Sequence, residues 1–121
     1  MDRNDRVEAA LRSAGAAFAL VYGSQARGTA RPGSDLDVAA FWLENPPAIW
    51  DVDLPAGVDL LILNEAPLEL AGTVALEGKV LFEDDVVARV RWVATTRRIW
   101  LDERPRFERA HREFLEAVRG R

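Results

Sequence analysis

Three aspartates carry the chemistry that this sequence could do. Asp35 and Asp37 stand two apart in "SDLDV", and Asp59 stands in the apolar run "VDLLIL". In an extended strand, side chains two apart share a face, so Asp35 and Asp37 point the same way. Two carboxylates held together repel, and one tends toward the neutral acid. A divalent cation removes that conflict. Mg²⁺ binds oxygen ligands and commonly divides its shell between one or two carboxylates and substrate phosphates. A bare Asp-x-Asp pair is also common in turns, where it caps the backbone. Asp59 taken alone has its own bland reading, an ion pair with an arginine that offsets the cost of burying an acid.

The neighbouring residues decide between these readings. Gly23-Ser24 follows the apolar run "AAFALVY" and precedes "QARGTA", a strand-to-helix junction with Ser24 as a helix cap. Free backbone N–H groups at such a junction favour an anion. Gly23 lets a phosphate approach the backbone closely, and Ser24 adds a hydroxyl donor. Ten residues, 25–34, separate Ser24 from Asp35. That loop is short enough to return the second strand beside the first, and so to set the phosphate cradle next to the carboxylates. A phosphate site beside a metal site is what nucleoside-triphosphate chemistry requires. With Asp35 and Asp37 on a preceding strand, a shared metal site accounts for Asp59 as well. Arg27 and Arg31 lie inside the same stretch. A guanidinium there could stabilise charge on a triphosphate. Arg27 could equally tie a short helix to the sheet, and Arg31 sits in turn sequence.

The elements that must position these residues follow from periodicity and breakers. Val7, Ala10, Leu11 and Ala14 recur at helical spacing over residues 3–14, with Gly15 as the stop. Strands are expected at 16–23, 35–43, 58–64 and 78–84, the last short. A short helix from Ser24, a helix over 67–76 with Pro67 at its start, and a long helical pattern over 85–102 complete the set. Pro105 is expected to begin a last, separate helix with Phe107, Phe114, Leu115 and Val118 on one side. The mixed order of strands and helices predicts an α/β (α+β) domain, a small mixed sheet with helices packed on it.

Composition bounds the rest. The 121 residues suit one domain, 1–121, with a helical C-terminal part from about residue 85. Hydrophobic residues at 49% and charged residues at 30% fit a globular chain with a real core. No apolar run reaches membrane-spanning length, and the charged, amphipathic N-terminus is unlike a secretory signal. There is no cysteine, so disulfides and thiolate metal sites are excluded and a cytoplasmic location is the default. Residues 1–88 carry 6 basic and 15 acidic side chains, whereas residues 89–121 carry 10 arginines and 5 acids. The overall acidity argues against free-standing nucleic-acid binding, while the basic third is either a solvated surface or a face for a charged partner.

"GSQARGTARPGSDLD" with the later "VDLLIL" resembles the minimal nucleotidyltransferases of the polymerase-β superfamily, whose motif is Gly-Ser, ten residues, Asp-x-Asp, then a third Asp on a later strand. The "SDLD" detail and "EGKVLFE" are most similar to the antitoxin branch that is paired with HEPN toxins. The resemblance covers most of the chain and is weak at the C-terminus. It implies the polymerase-β-like nucleotidyltransferase fold, with Asp35 and Asp37 ligating two Mg²⁺ ions. By the same resemblance Asp59 would ligate one ion and help deprotonate the attacking hydroxyl, and Gly23, Ser24 and Arg27 would hold the triphosphate of ATP. The implied reaction is transfer of AMP from ATP to a hydroxyl, a tyrosine on a cognate HEPN toxin, with pyrophosphate released. A hetero-oligomer with that toxin is implied too.

Larger nucleotidyltransferases carry a further domain for the acceptor, and this sequence leaves little room for one after the motif, so the acceptor is expected to be a partner protein. Two alternatives stay open: an antitoxin that neutralises by binding alone, and nucleotidyl transfer to a small hydroxyl compound such as an aminoglycoside. Trp92 and Trp100 are expected to pack in the core or a groove, with a partner surface shared with Arg97, Arg98 and Arg104 as the alternative. Trp42 and Trp50 bracket a Pro-rich loop where they could flank the nucleotide base. His111, the only histidine, could sit with Phe107, Phe114 and Val118 on the inner face of the last helix, and is expected to be packed or partly exposed rather than to bind metal.

Overall fold

Four short apolar runs become strands because each can bury at least one face. In the computed structural model, which describes residues 1–120, β1 spans Phe18–Tyr22, β2 Leu36–Phe41, β3 Val58–Ile62 and β4 Lys79–Glu83. They form a single sheet in the order β3-β2-β1-β4. β1 is antiparallel to both β2 and β4, whereas β2 and β3 run parallel. Each strand starts or stops within about two residues of its sequence expectation.

The helices are α1 (Arg3–Ser13), α2 (Ser24–Arg27), α3 (Leu68–Glu77) and α4 (Val86–Arg119). Asp2 starts α1 by accepting from the Asp5 N–H at 2.8 Å, and Asp85 starts α4 by accepting from the Ala88 N–H at 2.9 Å. These caps satisfy donors that the first turn leaves free.

The sheet is covered on both faces. Val7 and Leu11 of α1 pack on one face with Val38, Ala40, Leu60, Ile62 and Phe82. On the other, Phe18, Leu20 and Ala39 meet Val74 of α3 and Trp92 and Val93 of α4. The rings of Phe18 and Phe41 stack at 5.3 Å. Trp100 is buried against α3, where Gly72 leaves space for its ring. Both Trp92 and Trp100 therefore serve packing, as expected.

The C-terminal part departs from expectation. No break separates two helices: α4 runs unbroken through Pro105 for 34 residues, about 51 Å of helix. Pro105 removes one N–H, so the carbonyl four residues earlier, on Leu101, loses its intrahelical donor. Leu101 is exposed, so water can serve that carbonyl and the helix is not forced to end. Beyond Asp102 the helix stands clear of the body. Phe107, Phe114, Leu115 and Val118 are exposed, and so is His111. The inner-face placement of His111 and these side chains does not hold, and His111 takes the exposed side of its expectation.

Candidate active site

The site is built at one end of the sheet by parallel register. β2 and β3 pair with Asp37 beside Asp59, and β1 and β2 pair with Tyr22 beside Asp37. Residues side by side in register share a face, so these three side chains stand together. Asp35 precedes β2 and, two before Asp37, falls on the same side. Its Oδ1 lies 3.7 Å from the point where a Cβ on Gly57 would be, and Arg3 Nη1 lies 3.6 Å from that point. Arg3 also donates to the Ser34 carbonyl at 3.1 Å, and so ties α1 to the segment that carries Asp35. Alternation within β3 sends Leu60 and Ile62 into the α1-side core and leaves Asp59 on the opposite face. Asp59 is exposed there, not embedded as the apolar run suggested. Its salt-bridge alternative loses support, since none of the ion pairs among the described residues involves it.

Gly23 brings the end of β1 against these acids. Its φ of +71° with ψ of −150° belongs to a region that is essentially reserved for glycine. A Cβ at Gly23 would lie 2.5 Å from Asp37 Oδ2. The turn and the carboxylate are therefore in van der Waals contact only because residue 23 has no side chain. Ser24 then opens α2 as its first helical residue; Gly23 and not Ser24 holds the cap position, with no side-chain cap bond, so the first-turn N–H groups have no intrahelical acceptor.

Electrostatics match this crowding. Partial burial, then Asp59 and then Asp35, push the Asp37 carboxyl above its ordinary value, while Arg27 pulls it down. Burial, Asp37 and Asp59 likewise raise the Tyr22 phenol. A divalent cation would relieve the repulsion, and the donor set is all oxygen, which suits Mg²⁺. Among the described residues no three acidic, histidine or cysteine side chains close into a metal cage by themselves.

The sequence model for the family described as "Polymerase beta, Nucleotidyltransferase" matches residues 7–86, which contain every residue of this site except Arg3. The chain belongs to that family. Solved structures that share the nucleotidyltransferase fold include a toxin-antitoxin complex with AMP-PNP. That match has a TM-score of 0.66 at 21% identity over 91% of this chain and 99% of the other. Another is a tri-AMPylated Shewanella oneidensis HEPN toxin in complex with MNT antitoxin, with a TM-score of 0.59 at 18% identity over 90% of this chain and 96% of the other. A third is the toxin-antitoxin MntA-HepT, with a TM-score of 0.56 at 18% identity over 90% of this chain and 97% of the other. No curated protein sequence matches the chain significantly.

Other side chains of this nucleotidyltransferase domain fall into place around the acids. Arg27 Nη1 pairs with Glu77 Oε2 at 3.3 Å, which ties α2 to the end of α3. Both side chains are about half exposed, so the pair is worth little and Arg27 can exchange it for another anion. Arg31 is exposed, and its N–H donates to Ser34 Oγ at 2.9 Å, a turn contact. Trp42 does not flank the site. It is buried at the far end of β2, where its Nε1–H donates to the Ala14 carbonyl at 2.9 Å and Asn64 bonds its backbone at 3.0 and 2.7 Å. Trp50 is 83% exposed on a 3-10 turn, Ile49–Asp51. Sequence reasoning missed Tyr22 and Arg3. Tyr22 carried a usable signal, since it ends the strand that leads into Gly23. Arg3 carried none, because only the packing of α1 brings it near Asp35. No helix among the described residues is long and apolar enough to cross a membrane.

Proposed function

We propose that this nucleotidyltransferase domain transfers AMP from ATP to a hydroxyl of a partner HEPN toxin, with tyrosine as the acceptor, and so acts as an antitoxin. The observation that carries the reading is the register that sets Asp37 beside Asp59, with Asp35 on the same face and Gly23 in contact with Asp37. Asp35, Asp37 and Asp59 would hold two Mg²⁺ ions, which when bound would neutralise triphosphate charge and lower the barrier to displacement at phosphorus. Gly23 admits the phosphates close to the backbone, Ser24 offers its hydroxyl, and Arg27 can leave Glu77 for a phosphate oxygen. Asp59, exposed at the edge of the group, can take the proton of the incoming hydroxyl. The hydroxyl oxygen bonds to the α-phosphorus, and the bond from that phosphorus to the bridging oxygen breaks. Its electron pair leaves with pyrophosphate, and Asp59 passes the proton to water. The complex of a HEPN toxin with MNT antitoxin among the solved structures supports the choice of partner class.

Mass spectrometry of the toxin after incubation with ATP and Mg²⁺ tests this. The expected result is added AMP, lost with Asp59→Ala while ATP binding falls far less, because deprotonation matters mainly in the transition state. Neutralisation with no mass change, achieved equally by the Asp59 variant, would leave a binding antitoxin and refute the enzyme.

A further inference from the structure

A groove of about 420 Å³ runs along β3, one of the two edge strands of the sheet. Ile49, Trp50, Leu61 and Pro67 line it over a floor of the buried Leu60 and Ile62, and Glu65 is its one charged lining residue. Trp50 at 83% exposure is a large aromatic surface held in water beside an apolar trough. Leu61, two residues along β3, shares the face of Asp59 and brings the groove next to it. The stretch that frames it, residues 44–65, carries Glu44, Asp51, Asp53, Asp59 and Glu65 and no lysine, arginine or histidine; the Arg3 guanidinium of α1 approaches that stretch at Gly57.

Its place in the sheet fixes what can use it. The Gly23 turn ends β1, and the order β3-β2-β1-β4 sets the carboxylates of β2 and β3 between that turn and the groove. Phosphoryl transfer holds the entering and leaving oxygens roughly in line. With the leaving pyrophosphate on the Gly23 side, the hydroxyl must approach from the β3 side. We infer that the β3 groove is the acceptor dock, and that it takes an extended polypeptide segment with apolar side chains for the trough and lysine or arginine for the acidic rim. This rests on the reading of the carboxylates as an AMP-transfer centre. An edge strand beside an apolar groove suits an extended chain, and a central tryptophan is the residue type that anchors such contacts.

The test measures binding in the absence of ATP and Mg²⁺, so it proceeds whether or not AMP is transferred. A fluorescent peptide, Lys-Val-Lys-Leu-Tyr-Leu-Lys-Val-Lys, is titrated by anisotropy against its counterpart with glutamate for lysine. The basic peptide should bind, weaken with salt, and lose roughly tenfold or more in affinity with Trp50→Ala; the acidic peptide should not bind. Trp50→Ala should leave ATP affinity unchanged. Failure of the basic peptide to bind, or equal binding by the variant or by the acidic peptide, overturns the dock. Loss of ATP affinity in Trp50→Ala would give the groove to the nucleotide base instead. A wild-type dimer that Trp50→Ala dissociates, with no peptide effect, would give it to a second copy of the chain. A basic peptide that binds through Trp50 while no AMP transfer is found would leave the groove standing and remove the catalytic reading.

Discussion

Gly23→Ala separates the backbone cost of the cradle from its effect on the acids. The added methyl meets two obstacles. The first is conformational: φ +71° with ψ −150° costs a non-glycine residue about 1–3 kcal/mol. At ~3–6 °C per kcal/mol for a domain of this size, that lowers Tm by roughly 3–18 °C. The second is contact: the methyl would lie 2.5 Å from Asp37 Oδ2, and ordinary contact begins at 3.4 Å. The difference, 3.4 − 2.5, means that the carboxylate must yield by 0.9 Å. A carboxylate tip rotates with little cost to stability, but a displacement of about 1 Å at a reacting centre can cost about a hundredfold in rate. Thermal unfolding and AMP-transfer kinetics should therefore disagree in size. In an Asp37→Ala background, which removes the clashing oxygen, Gly23→Ala should lower Tm by nearly the same amount, with a coupling below about 0.5 kcal/mol. A Gly23→Ala protein with wild-type Tm and wild-type turnover would refute both arguments. A large coupling would mean that the contact, not the backbone, carries the stability cost.

Asp37→Asn should stabilise the metal-free protein at neutral pH. The folded state raises this carboxyl, so the native chain holds the proton more tightly than the unfolded chain, and stability falls as pH climbs through the raised value. The gain from asparagine should shrink on acidification and vanish below the ordinary value of 3.8, as read by Tm against pH; a gain that does not change with pH would count against the repulsion. Wild type should gain Tm from Mg²⁺ with ATP by mass action, and Asp37→Asn should lose that gain. Gly72→Ala should drive a methyl into the Trp100 ring. Overpacking of about 1–3 kcal/mol outweighs the ~1 kcal/mol of helix propensity gained, so urea unfolding should show a net loss, relieved by Trp100→Ala in the same chain; a more stable Gly72→Ala would refute the packing.

Much of the fold and the candidate site was legible because its signals are local. Apolar runs bounded by Gly and Pro marked the four strands, since a strand needs only a few residues and a break. Gly23-Ser24, Asp35 and Asp37 lie within fifteen residues, where spacing and alternation decide which side chains can meet. Asp59 was reachable by the same alternation, because the face it shares does not depend on where β3 sits in the sheet. What sequence could not decide was everything set by long-range packing. The parallel register that sets Asp37 beside Asp59 depends on which strand β2 chooses as neighbour. The exposure of Asp59 depends on where the covering helices stop. Trp42 and Trp50, eight residues apart around the same prolines, go respectively to the core and to open solvent, a difference made by Ala14 and Asn64 from distant parts of the chain. Pro105 reads locally as a helix start, yet α4 passes through it, because a proline inside an exposed helix loses one hydrogen bond that water can replace. Local sequence thus determined which groups could act. The pairing of strands and the placement of helices decided which of them stand together and which of them face water, since burial and register are properties of neighbours far away in the chain.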